Sequence, residues 1–251
     1  TSSGCTAMCM YCYLVCNYNK CAYLRLFVNR EQMLEKIIKV AKQSEKQLTF
    51  EIGSNSDLIL ENTITGNLVW TIENFANTEK GLLTLPTKFE MVDSILPLNH
   101  NGKIIIRMSV NPAEIINKVE FGTSRLKGRI EAINKLVEAG YKIGILIAPV
   151  ILVENWQQLY TELIQTLNSE LSEKAKKMAF FEIIFMTYSY VHTKINEEAF
   201  PEAINLYDKE IMTGRGNGKY GYKEKNRIEA EKFLREQMNK YFPNNRIEYV
   251  V

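Results

Sequence analysis

Apolar runs of strand length alternate with amphipathic helical stripes along all 251 residues, and this alternation restricts the chain to an α/β fold with parallel strand pairing. The runs are Ala22 to Val28, Gln47 to Ile52, Leu82 to Leu85, Lys103 to Val110, Lys142 to Val150 and Met178 to Phe185. Between them, Met33, Leu34, Ile37, Ile38 and Ala41 recur at helical spacing after Asn29, an N-cap candidate with Gln32 three residues on. Further stripes are Leu68, Ile72 and Phe75; Ile130, Ile133, Leu136 and Val137 before the stop at Gly140; and Trp156, Leu159, Tyr160, Leu163 and Leu167. About six strand-helix units result, which predicts a partial (βα)6 barrel followed by a C-terminal hairpin and helix. Ligands of such sheets gather at the carboxyl ends of the strands. There the sequence sets Ser54, Asn55, Ser56 and Asp57 after the second run, Lys88 after the third, Ser109 and Asn111 at the fourth, and Ala148 with Pro149 at the fifth. Any one of these could simply form a turn or a cap.

The chemistry concentrates at the start. Cys5, Cys9 and Cys12 stand in a CxxxCxxC spacing interleaved with Met10, Tyr11 and Tyr13. Three thiolates can hold three irons of a [4Fe-4S] cubane and leave the fourth open for a small chelating molecule, the amino and carboxylate groups of S-adenosylmethionine. Structural zinc would need a fourth ligand, and the two histidines, His100 and His192, stand far apart and far along the chain. Each suits a turn or surface role. Five cysteines is an odd number for a disulfide framework.

With 46% hydrophobic and 24% charged residues the chain is long enough for one sizeable core and calls for no second full domain. Its expected parts are a cluster loop at 1–21, a barrel core at 22–200 and a DNA-contacting hairpin with C-terminal helix and strand at 201–251. It has no apolar run of eighteen residues and no secretory signal, so a reducing cytoplasm fits, with no membrane partner. The first residue is Thr1, and we expect a region upstream of the cysteines to be missing from this sequence. A net charge of +2 indicates no polyanionic partner by itself. Its distribution says more: Thr213 to Tyr222 sets four glycines around Arg215, Lys219 and Tyr220, a hairpin pattern with a basic, aromatic tip, followed by Lys223, Lys225 and Arg227. The tract Glu173 to Lys177 reads as a solvated helix face, and no P-loop, Ser/His/Asp order or carboxylate pair is present.

The cysteine motif, Phe50 to Asp57, Thr87-Lys88-Phe89 with Val92-Asp93-Ser94, Asn99 to Lys103, Ala148-Pro149, and Tyr241-Phe242-Pro243 with Ile247-Glu248-Tyr249 together resemble, in order, the spore photoproduct lyases, radical S-adenosylmethionine enzymes of DNA repair. The resemblance implies reversal of 5-thyminyl-5,6-dihydrothymine, the methylene-bridged thymine dimer of ultraviolet-irradiated spore DNA. A 5′-deoxyadenosyl radical takes hydrogen from carbon 6, the crosslink fragments, and a thymine-side radical is quenched by a hydrogen atom. It implies an electron donor such as flavodoxin or ferredoxin, a location inside the bacterial cell or spore, and a reaction that one subunit can carry out. Position by position it makes Cys5, Cys9 and Cys12 the cluster ligands and puts Ser56 and Lys88 at the amino acid end of S-adenosylmethionine. Ser109 falls at the ribose, Ala148 beside the adenine, Asp57 behind these, and Tyr13 near the cofactor.

The sequence departs from that family at one place. The usual hydrogen donor is a cysteine in the loop after the second strand, and Ser54 stands there; a serine O–H bond is too strong to take over that role. We expect Cys16 to donate, with Tyr18 as relay and Tyr11 and Tyr13 as further redox-capable groups, while Cys21 is the weaker choice and both cysteines could be structural. Family members use the hairpin to wedge the duplex and expose the lesion. The tyrosine expected after Arg215 is replaced by Gly216, leaving Arg215 or Tyr220 as the wedge, and Phe185 to Thr193 also diverges. Two other readings stay open: a related radical enzyme acting on another nucleobase lesion, and a cluster-carrying nucleic-acid-binding protein without turnover.

Overall fold

A computed structural model describes residues 1–14 and 23–251. Cys16, Tyr18 and Cys21 lie outside the described residues. The elements run in the order β1 (Ser2–Ser3), β2 (Arg25–Leu26), α1 (Arg30–Gln43), β3 (Thr49–Glu51), α2 (Leu58–Thr65), α3 (Asn67–Phe75), β4 (Leu82–Thr87), β5 (Ile104–Val110), α4 (Ala113–Val119), α5 (Leu126–Glu138), β6 (Lys142–Val150), α6 (Trp156–Glu170), α7 (Glu173–Met178), β7 (Phe180–Phe185), β8 (Tyr188–Ser189), α8 (Tyr190–Ala199), β9 (Met212–Gly214), β10 (Lys219–Tyr222), α9 (Glu224–Tyr241) and β11 (Ile247–Val250). Six strands form one sheet in the order β11-β7-β6-β5-β4-β3, every neighbouring pair parallel, and the sheet curls into a half-barrel.

Burial explains the strand sequences. β5 and β6 lie in the middle of the sheet with helices on one face and the barrel interior on the other, so Ile143 to Val150 reads as an almost unbroken apolar run. The helices turn their stripes onto the sheet: Ile130, Ile133, Leu136 and Val137 of α5 are all buried. Gly66 ends α2 in the left-handed conformation at φ 65° and starts α3 immediately, a step that glycine makes without a Cβ penalty.

Two features differ from the sequence reading. The first apolar run joins no barrel strand: Arg25 and Leu26 pair antiparallel with Ser3 and Ser2 in a separate ribbon, and Val28 is 95% exposed. The sixth barrel strand is instead β11, which extends the sheet beyond β7. Asn29 precedes α1 but makes no side-chain cap bond; its amide donates to Gln32 at 3.3 Å.

Inside the curl lies a charged layer. Arg107 of β5 donates to Glu182 of β7 at 3.2 Å and forms an ion pair with Glu51 of β3, while the Tyr249 hydroxyl of β11 donates to Glu182 at 2.5 Å. Ser54 Oγ donates to Glu51 at 2.6 Å, so this layer also fixes the loop after β3.

Phe181 is fully buried against Phe242, with ring centroids 5.0 Å apart, on the strand between β6 and β11. Phe181→Ala is expected to cost about 3–5 kcal/mol, read from urea unfolding followed by circular dichroism.

Candidate active site at the carboxyl rim of the half-barrel

The strands deliver their polar ends to one cavity of about 560 Å³. Cys5, Cys9 and Cys12 line it together with Tyr11, Tyr13, Ser54, Ser56, Asp57, Lys88, Ser109 and Ala148, as well as residues 184–189, His192 and Lys219. Among the described residues, none of these three cysteines is in a disulfide. Among the described residues no three Cys, His, Asp or Glu side chains converge on a point that would hold a single metal ion, which is the geometry structural zinc requires. A cubane asks less convergence of its ligands, because each thiolate holds a different iron. Three cysteines lining one roomy cavity suit that donor set.

The cysteine loop is zipped to the segment after α4. Met10 N donates to Val119 O at 3.0 Å, Gly122 N donates to Ala7 O at 2.8 Å, and Cys9 pairs antiparallel with Glu120. A Cβ on Gly122 would sit 2.9 Å from Ala7 O and 3.1 Å from Ala7 Cα, so only glycine admits this approach. On the other side Asn196 of α8 donates to Met10 O at 2.8 Å. Burial pushes the Cys5 thiol up to about 12, and burial followed by the Glu120 charge raises Cys9 well above its ordinary value. Burial thus favours the protonated thiol at both positions.

Lys88 follows the end of β4 and reaches into the cavity. Its ammonium donates to Ser109 Oγ at 2.5 Å and Ala148 O at 3.0 Å, and it lies 3.7 Å from Glu120. Ser109 Oγ also donates to Ala148 O at 2.7 Å. These three sequence-predicted residues thus form one hydrogen-bonded set across β4, β5 and β6. Asp57 is committed elsewhere: its Oδ1 caps α2 through Ile59 N and Leu60 N and accepts from Thr87 Oγ1 at 2.9 Å, while Oδ2 accepts from Lys88 N at 3.0 Å. Burial raises its pKa, and the Lys88 N–H and Thr87 hydroxyl oppose the rise. It holds the Lys88 backbone in place. Ser56 Oγ meets Ser2 Oγ at 2.7 Å, and Gly4 N donates to Asn55 O at 2.8 Å, so the start of the chain closes over the loop after β3.

The tyrosines take different positions. The Tyr13 hydroxyl donates to Ser54 O and the ring is half exposed, whereas the Tyr11 hydroxyl donates to buried Glu120. Burial alone would push the Glu120 carboxyl up, yet Lys88, Arg129 and the Tyr11 hydroxyl hold it down at about 2. Glu120 and its partner Arg129 carried no motif. The readable signal was a charge at Arg129, on the apolar stripe of α5 between Leu126 and Ile133.

Neither histidine is on the surface. His100 is buried, stacks on Tyr141 at 3.9 Å and bonds Gly102 N and Ala139 O, which makes it a turn residue inside the fold. His192 is buried at the cavity wall, with Nδ1 2.7 Å from Ser189 Oγ and the ring stacked on Tyr188; it falls in the divergent stretch. Burial lowers its pKa, and the Tyr11 and Cys12 carbonyls oppose this.

Residues 212–222 form an antiparallel hairpin, β9 with β10, and β10 also pairs with β8. Lys219 sits opposite Ser189 and reaches the cavity. Arg215, at the exposed turn, folds back to donate to Tyr222 O at 2.8 Å. Tyr220 packs on Tyr207 at 4.6 Å, leaving Arg215 and Lys219 as the exposed members of the predicted trio.

Gly122→Ala should destabilise the protein by about 1–3 kcal/mol in urea unfolding, because the loop backbone must move away from its support. In the metal-free protein at pH 8, Cys5 should react with iodoacetamide at least about 100-fold more slowly than an unperturbed thiol, since the thiolate is the reactive form.

The spore photoproduct lyase family model matches residues 1–251. The chain is 33% identical over 253 residues to the spore photoproduct lyase of Bacillus subtilis, covering 99% of this chain and 74% of that protein. It is 31% identical to that of Clostridium acetobutylicum, covering 75% of it. A solved spore photoproduct lyase variant with bound AdoMet and dinucleoside spore photoproduct superposes with a TM-score of 0.93 at 30% identity, over 100% of this chain and 75% of that one. A spore photoproduct lyase complexed with dinucleoside spore photoproduct also gives 0.93. With sequence and shape agreeing over the whole of this chain, and over about three quarters of its relatives, the chain belongs to the spore photoproduct lyase family.

Proposed function

We propose that this chain is a lyase that reverses the spore photoproduct to two thymines by radical S-adenosylmethionine chemistry. The observation that carries the reading is the single cavity in which all three cysteines meet Ser56, Lys88, Ser109 and Ala148. When bound, a [4Fe-4S] cluster and S-adenosylmethionine supply a carbon-centred radical able to take hydrogen from the lesion.

Cys5, Cys9 and Cys12 hold the cluster in this reading. The Lys88 ammonium and Ser56 hydroxyl suit the carboxylate of the amino acid end, the Ser109 hydroxyl a ribose, and the Ala148 backbone an adenine edge. Asp57 acts through the Lys88 backbone. The apolar wall formed by Ile184, Phe185 and Met186 keeps water from a reactive intermediate, and Lys219 at the same cavity suits the phosphate of a dinucleotide lesion. Arg215 joins it in holding damaged DNA, with Tyr220 as a stacking support behind it. Cys16 gives the quenching hydrogen atom and Tyr18 restores its thiol, with Tyr11 and Tyr13 as further relays. A soluble electron donor of the flavodoxin or ferredoxin kind supplies the reducing equivalent. No described helix is long and apolar enough to cross a membrane.

Ser54 favours one second reading, a related radical enzyme whose lesion needs no thiol after β3. Its hydroxyl is engaged by Glu51 and its carbonyl by Tyr13.

Anaerobically reconstituted protein given reductant, S-adenosylmethionine and dinucleoside spore photoproduct should release thymine and move deuterium from carbon 6 of the lesion into 5′-deoxyadenosine. Cleavage of S-adenosylmethionine without thymine would favour the second reading, and no cleavage at all would rule out both. Cys16→Ala should still consume the lesion but yield trapped side products; clean thymine would overturn the donor assignment. Arg215→Ala should weaken DNA binding and flatten its dependence on salt, seen by fluorescence anisotropy between about 50 and 200 mM salt.

A further inference from the structure

The cysteine loop, Lys88 and Ser109 belong to separate stretches of chain, and one buried ion pair touches all three. Glu120 and Arg129 are both fully buried, with Arg129 Nη2 2.5 Å from Glu120 Oε2. Arg129 spends its remaining donors on the surroundings: Nη1 on Ser109 O at 2.9 Å, Nε on Ser124 O at 2.8 Å, and Nη2 also on Thr123 Oγ1 at 2.7 Å. Ser124 N in turn donates to Lys88 O at 3.2 Å. From its other side Glu120 accepts the Tyr11 hydroxyl, stands 3.7 Å from the Lys88 ammonium, and pairs through its backbone with Cys9.

Such a pair is a poor source of stability, because desolvating two charges roughly cancels their attraction, and well-packed apolar residues of similar volume often do as well. What it offers is geometry. The guanidinium fork has donors in fixed directions, and here those directions reach a strand end, a loop and a carboxylate at once. We propose that Arg129 and Glu120 are positioning residues that set the spacing between the three-cysteine loop and the Lys88–Ser109 edge, so that a ligand bridging the two finds both anchors in register. The inference rests on the reading of the cavity as an S-adenosylmethionine site.

Two variants test it on anaerobically reconstituted full chain. Glu120→Gln combined with Arg129→Met removes both charges of the pair together, so neither is left buried without the other, while Lys88 loses its ion partner and Ser109 O and Ser124 O lose a donor. Arg129→Lys keeps the charge but loses the fork. Both are expected to fold with parent-like circular dichroism and to retain iron, while the dissociation constant for S-adenosylmethionine, from equilibrium dialysis, rises about tenfold. The change that S-adenosylmethionine induces in the electron paramagnetic resonance signal of the reduced cluster should shrink in parallel. Binding within twofold of the parent in either folded variant overturns the proposal. Loss of the fold in both overturns it too, by assigning the pair a structural role. Should the unaltered protein itself fail to bind S-adenosylmethionine, the reading of the cavity falls and this inference falls with it; normal parent binding with unaffected variants removes this inference alone.

Discussion

Parallel pairing is the constraint from which the site follows. Six parallel strands must all run the same way, so their carboxyl ends and the loops that follow them arrive at one rim. Residues far apart in the chain, Ser56 and Ala148 among them, are thereby brought to the wall of one cavity, and the curl of the sheet makes that rim concave. The cysteine loop needs no strand of its own to join them. It docks by backbone hydrogen bonds to the segment after α4, where the absent side chain of Gly122 lets two main chains meet.

The interior of the curl shows how the sheet tolerates charge. A lumen wider than its side chains would admit water, and a purely apolar one would leave the loops above it unanchored. Arg107, Glu51, Glu182 and Tyr249 instead link one edge strand to the other through ion pairs and a hydrogen bond, with Ser54 attached at the rim and Arg107 Nε left without a partner among the described residues. The polar floor and the polar rim are therefore a single connected construction, and the loop that carries Ser54 is held through Glu51.

How much of this was written locally depends on the range of the interaction. Ile145 to Ala148 betrayed a buried parallel strand because both faces are covered, and Lys88, Ser109 and Ala148 could be placed at a rim because each follows such a run. Ala22 to Val28 misled because apolar composition signals a strand only when something covers it. Here Leu26, Phe27 and Val28 remain exposed, and the strand pairing of the described residues is with Ser2 and Ser3 in a separate ribbon. Glu120 was illegible, and Arg129 showed only as a charge on an apolar stripe, because a charge becomes structural only through a partner, and theirs is decided by how a helix meets a loop. The burial of His100 and His192 was hidden for the same reason, since their aromatic neighbours Tyr141 and Tyr188 are within reach only after folding.

A sheet that curls without closing keeps two margins with unsatisfied main-chain groups. At one margin stands β3, three residues long, and at the other β11, four residues long and interrupted in its register with β7. A wandering chain seeking to add itself to either side would find too few rungs to hold on to, so the molecule gains the open mouth of a half-barrel while offering little template for uncontrolled stacking.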